Sequence, residues 1–461
     1  MLKQRRRRWS SKGRRKRGST KVSPWTVVMA IPVALIALEI IARLGSGYIT
    51  TGKDSENKLS REAIAYSLRF VDDDEKVYQG LDNRGELLAM ESLSTAYHLV
   101  GNQQNEFFSL NEQGFRDDDP VPLEKPAGEI RIFVLGNSAA FGRGVQANEQ
   151  TLETRLEQRL QQRVQQQKQS PGTYRPDVFP FFKPTREKLM KMPAKIRQGN
   201  YRVINVAVPG YSSGNELAQF AMEILPYQPD LVVVMNGYED LLLPEDQAAT
   251  AVPKLAEFAK DPDSYFRQYL RHSLQEKLQK SALIRAIASL APKKKQSQVA
   301  DVLSIRERNQ ESLAKQLPTS EESFQARLDR YRLNMQRFVS LCSAAKIPLI
   351  VAVQPEITGR SPDKLDPTEQ QVIKELSSDY TEKVSTYYPE MVDTMRQLEK
   401  SSPTNLKVLD FYRLNDAFPA PSFVDPIHFN EAAHDQMAED LYRAITGLSK
   451  MQIIPENYYL D

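Results

Sequence analysis

The sequence predicts an α/β fold in which helices cover a mostly parallel sheet. From residue 130 onward, short and almost continuously hydrophobic runs alternate with segments whose apolar residues recur at helical spacing. Such unbroken hydrophobicity is typical of strands that are buried on both faces. Five strands are predicted, at residues 130–135, 203–208, 231–235, 349–353 and 407–410.

Two amphipathic helices are predicted between these strands. The first follows the 130–135 strand, because apolar residues recur every four positions on a polar surface, at Leu152, Leu156, Leu160 and Val164. The second follows the 203–208 strand and carries Leu217, Phe220, Ala221, Ile224 and Leu225 at similar spacing. Ser212 and Ser213 are expected to cap the start of this second helix.

The domain organisation follows from shifts in composition along the 461 residues. One large domain at 129–448 is expected, with insertions at about 161–200 and 244–323. Each insertion is interpreted either as surface elaboration or as a lid over the catalytic edge, and the aromatic run 179–182 is the candidate flap. The remaining segments are a basic arm at 1–23, a transmembrane helix at 24–44, a juxtamembrane and lead-in segment at 45–128, and a tail at 449–461.

The N-terminal arm concentrates positive charge. Residues 1–21 hold eleven Lys or Arg and no acidic residue, and without them 51 basic residues face 59 acidic ones. The body of the chain is therefore acidic, which argues against nucleic-acid binding. After the arm, residues 24–42 are interrupted only by Thr26 and Glu39, and as a helix they would reach about 28 Å, enough to cross a bilayer.

This charge order predicts a single-pass membrane protein with a cytoplasmic N-terminus and an extracytoplasmic C-terminal domain. The lipid bilayer is then a partner through residues 24–44. A cleaved signal peptide is the main alternative, although Gly45-Ser46-Gly47 matches a cleavage site poorly. A soluble basic tail that binds nucleic acid is the least favoured reading.

The single cysteine, Cys342, excludes an intramolecular disulfide and is expected to be a buried apolar side chain. His98, His272 and His434 have no carboxylate or cysteine at metal-ligand spacing, so no metal site is predicted. No glycine-rich phosphate loop is present, so no nucleotide cofactor is expected.

Two distant motifs together indicate a serine hydrolase. Ser138 lies where the first predicted strand turns into a helix, which would expose its hydroxyl at the carboxyl edge of the sheet. Such an oxygen needs a base, and the base needs a carboxylate that fixes its tautomer. His428 and Asp425, three residues apart before the last helix, supply both groups. Ser212 and Ser213 are weaker candidates for the nucleophile, and His434 is a weaker candidate for the base.

These motifs resemble those of the SGNH, or GDSL-like, hydrolases. The segments 111–116 and 351–355, together with Glu39 and Arg43, are similar to those of the membrane-anchored bacterial type. Gly136-Asn137-Ser138 is similar to block one, with Asn137 in place of the usual Asp. Gly210 is similar to block two, Gly237-Tyr238-Glu239-Asp240 to block three, and Asp425 to His428 to the final block. The resemblance implies a three-layer, flavodoxin-like parallel sheet with helical insertions. It also implies Ser138 as nucleophile, His428 as general base, Asp425 as its orienting group and Gly210 as a backbone oxyanion donor.

The third block departs from its usual form, GxND, in which the Asn donates to the oxyanion. Glu239 takes that place here, and an ionised carboxylate cannot donate a hydrogen bond. Two replacements are conceivable, Asn236 or a protonated Glu239, and a third reading is that Glu239 caps the following helix.

The function implied is that of a membrane-anchored serine esterase or acyl hydrolase that works through an acyl-enzyme without a cofactor. Its expected substrate is an ester, and the example considered is an acyl group attached to a cell-envelope glycan or lipid. Two alternatives stay open: an O-acetyltransferase that uses the same triad, and a degenerate member of the family that only binds its ligand.

Overall fold

A parallel five-stranded sheet forms the centre of the computed structural model, which describes residues 61–245, apart from 73–74, 78–83 and 93, and residues 310–459. All strands of this sheet run in the same direction. They coincide with the five predicted strands, with ends shifted by up to three residues. Their bounds are β4 Glu129–Gly136, β5 Asn200–Asn205, β6 Leu231–Asn236, β7 Leu349–Val353 and β8 Leu406–Asp410.

The strand order is β5-β4-β6-β7-β8, the flavodoxin-like order that the resemblance implies. The chain first steps from β4 to β5 on one side and then continues through β6 to β8 on the other. Open sheets of this kind bind ligands where the direction of progression reverses, at the carboxyl ends of the strands. This places the expected crevice at the end of β4, where Ser138 follows.

Helices pack against the sheet in two groups. The helix α3 (Leu152–Gln169) packs on β5 and against α12 (Glu431–Gly447). The helix α8 (Glu321–Ala344) contacts both α5 (Ser213–Gln219) and α10 (Ser378–Ser401), and α10 contacts β8. The described helices are α1 Arg61–Tyr66, α2 Ser138–Phe141, α3 Leu152–Gln169, α4 Lys183–Met190, α5 Ser213–Gln219, α6 Tyr238–Leu242, α7 Gln310–Gln316, α8 Glu321–Ala344, α9 Pro367–Glu375, α10 Ser378–Ser401, α11 Phe411–Leu414 and α12 Glu431–Gly447.

The core is apolar where the periodicity requires it. The predicted stripe of α3 is buried along its length, from Leu152 to Val164, and every residue of β6 is buried. Cys342 lies on α8 with no exposed surface, as predicted, and burial raises the pKa of its thiol. Because the thiolate is the reactive form, this cysteine is an inert packing residue.

The lead-in segment forms a second, smaller sheet of β1 Leu68–Phe70, β2 Leu87–Ser92 and β3 Ala96–Leu99, in that order. It belongs to the same compact unit as the main sheet. Arg116 forms an isolated β-bridge with Asn205 at the end of the edge strand β5. This segment therefore covers part of the edge at which the catalytic residues are expected.

The first insertion lies at the opposite, amino-terminal edge of the sheet. The helix α3 continues to Gln169, so the insertion begins later than the sequence suggested, and it leads directly into the start of β5. The tail after α12 pairs with it, through bridges of Val178 with Glu456 and of Ile196 with Gln452. Because this edge is remote from Ser138, the reading of 179–182 as a lid over the catalytic edge is not supported by its position. The second insertion lies mostly outside the described residues.

No helix within residues 61–245 and 310–459 is long and apolar enough to cross a bilayer. The predicted span at 24–44 and the basic arm before it lie outside these residues.

Candidate active site

The turn from β4 into α2 places Ser138 at the carboxyl edge of the sheet. Asn137 caps the helix, since its Oδ1 accepts from the Ala139 N–H at 3.0 Å. The other end of its amide donates to Oε1 of Gln354, at the end of β7, at 2.7 Å. The side chain that replaces the usual Asp of block one thus joins the nucleophile turn to a second strand end.

Ser138, His428 and Asp425 form a continuous hydrogen-bonded relay. The distance from His428 Nε2 to Ser138 Oγ is 2.8 Å, and from His428 Nδ1 to Asp425 Oδ2 it is 2.6 Å. The sequence separation of serine and histidine is 290 residues, so only the fold brings them together. The structure therefore assembles the three side chains that the sequence analysis paired.

The loop that carries the acid and the base is folded by the acid itself. Oδ1 of Asp425 accepts from the backbone N–H groups of Ile427 at 3.0 Å and of His428 at 2.9 Å. Its other oxygen, Oδ2, holds the imidazole. The position of the His428 ring is thus fixed locally, before any contact with Ser138 is made.

The electrostatics of the relay favour a neutral base. Burial lowers the pKa of His428, and this outweighs the opposing charge and hydrogen bond of Asp425. Arg143 lowers the same pKa further, whereas the charge of Glu239 raises it. For Asp425, burial alone would raise the pKa, but the charge and hydrogen bond of His428, with help from Arg143, hold it well below its usual range.

A neutral imidazole beside an ionised carboxylate has a defined tautomer. Nδ1–H donates to Asp425, which leaves the Nε2 lone pair to accept the proton of the Ser138 hydroxyl. This is the arrangement in which a serine can be deprotonated as it attacks an electrophile.

Two backbone N–H groups follow the carboxyl ends of the neighbouring strands β4 and β5. The N–H groups of Ser138 and Gly210 have no backbone acceptor within the part of the chain that the structure describes. The loop that carries Gly210 runs alongside the end of β4, because the N–H of Val208 donates to Gly136 O at 2.9 Å. Gly210 has a φ of 85°, which a residue with a Cβ rarely adopts.

Comparison with known proteins agrees with this geometry. A family model described as GDSL-like lipase/acylhydrolase matches residues 132–441, about two thirds of the chain. The chain belongs to this family. The comparison with curated proteins gives no match.

Solved structures similar to this chain are distant in sequence. A lipase/acylhydrolase from Enterococcus faecalis is 12% identical, with a TM-score of 0.34, over 69% of this chain and 96% of that chain. TesA is 11% identical, with a TM-score of 0.34, over 69% and 99%. A catalytic mutant of an acetylxylan esterase from Geobacillus stearothermophilus is 12% identical, with a TM-score of 0.32, over 70% and 96%.

The third block of this GDSL-like acylhydrolase lies where β6 meets α6. Glu239 is buried in the first turn of α6, where its charge faces the favourable end of the helix dipole. It is also close enough to the relay for its charge to raise the pKa of His428. The neighbouring Asp240 accepts from both the N–H and the hydroxyl of Ser213, which ties α6 to the loop of block two.

Asn236 does not reach the oxyanion position, contrary to the first of the two replacements considered. Its Nδ2 donates to Glu216 Oε2 at 2.6 Å and contacts Met335 Sδ at 3.5 Å, and its Oδ1 accepts from Tyr331. Asn236 is retained in the core because the carboxyl group of Glu216 is buried there and needs a polar partner. The same burial raises the pKa of Glu216 well above its usual range.

The other candidate nucleophiles and base have different partners in the structure. Ser212 caps α5 in a capping box with Asn215, as predicted, and Ser213 donates to Asp240. His434 accepts from the Leu152 N–H through Nδ1, and burial lowers its pKa to about 3. None of them contacts the relay. His98 lies in β3, His272 lies outside the described residues, and no cluster of metal-ligating side chains occurs among those described.

Arg116 binds the C-terminal end of α2, the helix that begins at Ser138. The sequence did not predict this role. Its buried guanidinium donates to the carbonyl oxygens of Phe141 at 2.8 Å and Gly142 at 2.9 Å, at the end of α2. It also donates to Phe107 O and to Asn148 Oδ1, both at 2.9 Å. The sequence singled out the segment that ends in Arg116, but only the fold shows that its side chain caps α2.

Proposed function

We propose that this protein is a membrane-anchored serine esterase or acyl hydrolase that works through a covalent acyl-enzyme. The observation that carries the proposal is the relay from Ser138 Oγ through His428 to Asp425, with distances of 2.8 and 2.6 Å. Both distances lie in the range expected for a nucleophile, its base and the group that orients the base.

The first half-reaction forms the acyl-enzyme. Ser138 Oγ attacks the carbonyl carbon of the ester while His428 Nε2 takes its proton, and Asp425 stabilises the imidazolium. The carbonyl oxygen becomes an oxyanion that accepts from the N–H groups of Ser138 and Gly210. When the C–O bond to the alcohol breaks, His428 returns the proton to the departing alkoxide.

The second half-reaction uses water. His428 removes a proton from a water molecule, the hydroxide attacks the acyl carbon, and the collapse of the second tetrahedral intermediate releases the acid and restores the Ser138 hydroxyl. A sugar hydroxyl in place of water would give the acetyltransferase alternative with the same residues.

The site has two backbone donors for the oxyanion and lacks the side-chain amide of the usual third block. Loss of one such donor typically lowers the rate by about 100- to 1000-fold, which weakens but does not abolish catalysis. We therefore expect a slow enzyme.

The proposed location is extracytoplasmic. Support comes from the eleven basic residues within 1–21, followed directly by the apolar segment 24–44. The substrate would then be an ester outside the cytoplasm, such as an acyl group on an envelope glycan or lipid.

The test uses the full-length protein purified in a mild detergent. A fluorophosphonate probe should label Ser138, the protein should hydrolyse p-nitrophenyl acetate, and Ser138→Ala should lose both properties. Product that forms only when a sugar acceptor is added would favour the transferase. A folded protein that neither reacts with the probe nor hydrolyses the ester would overturn the proposal.

Glu239 favours one other function, that of a degenerate member that binds its ligand without turnover. Glu239→Asn separates the two readings, since it restores the amide of the usual block. For an active site that lacks a donor, we expect kcat to rise by about tenfold or more. Equal and negligible activity in both forms, with Ser138 unlabelled in each, would favour the binding protein.

A further inference from the structure

The lead-in sheet reaches the loop of Gly210 through one side chain, Tyr97 of β3. Its hydroxyl donates to the carbonyl oxygen of Pro209 at 2.7 Å, across 112 residues of sequence. The ring is almost fully buried and packs edge-on against Tyr211, with centroids 5.1 Å apart. Tyr211 in turn donates to the backbone oxygen of Tyr97, so the contact is reciprocal.

The carbonyl that Tyr97 holds and the N–H of Gly210 belong to the same peptide unit. This peptide bond is trans, since the cis bond that occurs among the described residues is Ala420–Pro421. In a planar trans peptide, C=O and N–H point in opposite directions. A donor fixed on the Pro209 oxygen therefore also fixes the direction of the Gly210 N–H, away from Tyr97.

Gly210 does not fix this orientation by itself, because glycine has more backbone freedom than any other residue. Its φ of 85° is freely available to glycine, and glycine also has easy alternatives to it. A Cβ at this position would lie 2.7 Å from the Tyr97 hydroxyl, so the close contact itself requires glycine. The loop thus has a flexible residue at its donor and needs an external restraint.

We infer that Tyr97 is a positioning residue for the oxyanion site. Its hydrogen bond orients the Pro209–Gly210 peptide so that the Gly210 N–H is directed to the oxyanion in advance of the reaction. This inference rests on the proposed function. The contribution should be larger here than in relatives with a complete third block, because only two backbone donors share the charge.

The experiment compares Tyr97→Phe with Tyr201→Phe in the full-length protein. The control is matched, since Tyr201 is fully buried and donates to a backbone carbonyl, that of Arg197 at 3.1 Å, but near the amino end of β5. Phenylalanine keeps the ring packing at both sites. Melting temperatures should fall by similar small amounts.

For Tyr97→Phe, we expect kcat for p-nitrophenyl acetate to fall about tenfold, with KM within about twofold of the wild type. Inhibition by an alkyl trifluoromethyl ketone should weaken by a similar factor, because its adduct with Ser138 carries an oxyanion. Tyr201→Phe should leave both quantities unchanged.

Unchanged kcat and inhibition in Tyr97→Phe, or equal losses in both variants, would overturn the role of Tyr97 while the hydrolase assignment stands. An inactive and unlabelled wild type would overturn the hydrolase assignment, and this inference with it.

Discussion

At the scale of single residues, two opposite charges tune the base. Arg143 follows the nucleophile helix, its N–H donating to Ser138 O at 3.1 Å, and its charge lowers the pKa of His428. Glu239, in the first turn of α6, raises the same pKa. Because His428 must be neutral to accept the serine proton, these charges shift the pH at which activity begins, around a value determined mainly by burial and by Asp425.

The pH–rate profile should report this balance. In the wild type, kcat/KM should rise with pH through the lowered pKa of His428, with a midpoint below the ordinary histidine value of about 6.5. Arg143→Gln removes a charge that disfavours the protonated ring, so the midpoint should move up. Glu239→Gln should move it down.

Arg443→Gln is the control for this pair, since Arg443 is well exposed on α12 and paired with Glu439. The pH–rate profile of Arg443→Gln should have the same midpoint as that of the wild type. Shifts of the same sign in Arg143→Gln and Glu239→Gln would contradict the electrostatic account, as would a midpoint above 6.5 in the wild type.

At the scale of elements, the short helix that carries Ser138 depends strongly on its neighbours. The helix α2 has only four residues and ends at Gly142, whose φ is 89°. A single turn is unstable by itself because so few hydrogen bonds offset the ordering of its backbone. Its start is held by Asn137 and its end by Arg116, so residues outside the helix determine where Ser138 lies.

Arg116→Met should therefore affect both stability and catalysis. The change removes the shorter of two hydrogen bonds to each of the buried carbonyl oxygens of Phe141 and Gly142, whose remaining donors lie 3.4 Å away, at a cost of about 3 kcal/mol in unfolding free energy. Denaturant unfolding measures this loss, and kcat should fall as the end of α2 loosens.

Arg202→Met is the matched comparison, because Arg202 also donates to backbone carbonyl oxygens, those of Pro120 and Asp119, but at exposed positions. Its loss should stay below about 1 kcal/mol. Equal losses in the two variants would show that the capping of α2 contributes nothing special.

Local pattern was sufficient for the strands of the main sheet, for α3 and for the relay, but it did not predict the lead-in sheet. The strands and α3 follow from hydrophobic period, and Ser138, Asp425 and His428 lie in short motifs whose roles require those residue types. The contacts of Arg116, Asn236 and Tyr97 could not be predicted in the same way. Each depends on a partner that is remote in sequence or on competition among buried polar groups, and no spacing in the chain encodes either.

At the scale of the whole molecule, the two edges of the sheet have separate tasks. The carboxyl edge carries the relay, and the amino edge is closed by the first insertion and the tail. The helix α3 runs between the edges over about 27 Å, the length of its 18 residues. A change at the amino edge should therefore alter stability without altering the chemistry.

Deletion of residues 449–461 tests this separation. Four backbone hydrogen bonds join the tail to the insertion, Ile453 N to Lys195 O, Arg197 N to Met451 O, Phe179 N to Glu456 O, and Glu456 N to Asp177 O. At about 1 kcal/mol each, their loss should lower the unfolding free energy by about 4 kcal/mol.

The melting temperature should fall by several degrees while kcat at 25 °C stays within about twofold of the wild type. A control that removes only residues 460–461 should retain the melting temperature. A large loss of kcat in a folded, truncated protein would show that the two edges are coupled.

The dual use of Asp425 has a consequence for how this site tolerates change. One of its oxygens accepts from the backbone of the loop, and the other accepts from the His428 ring. The relative position of acid and base is therefore determined within this one loop. The rest of the molecule then determines the distance at which this pair meets the serine. Changes remote from this loop should therefore disturb the pairing of acid and base less than they disturb the contact between base and serine.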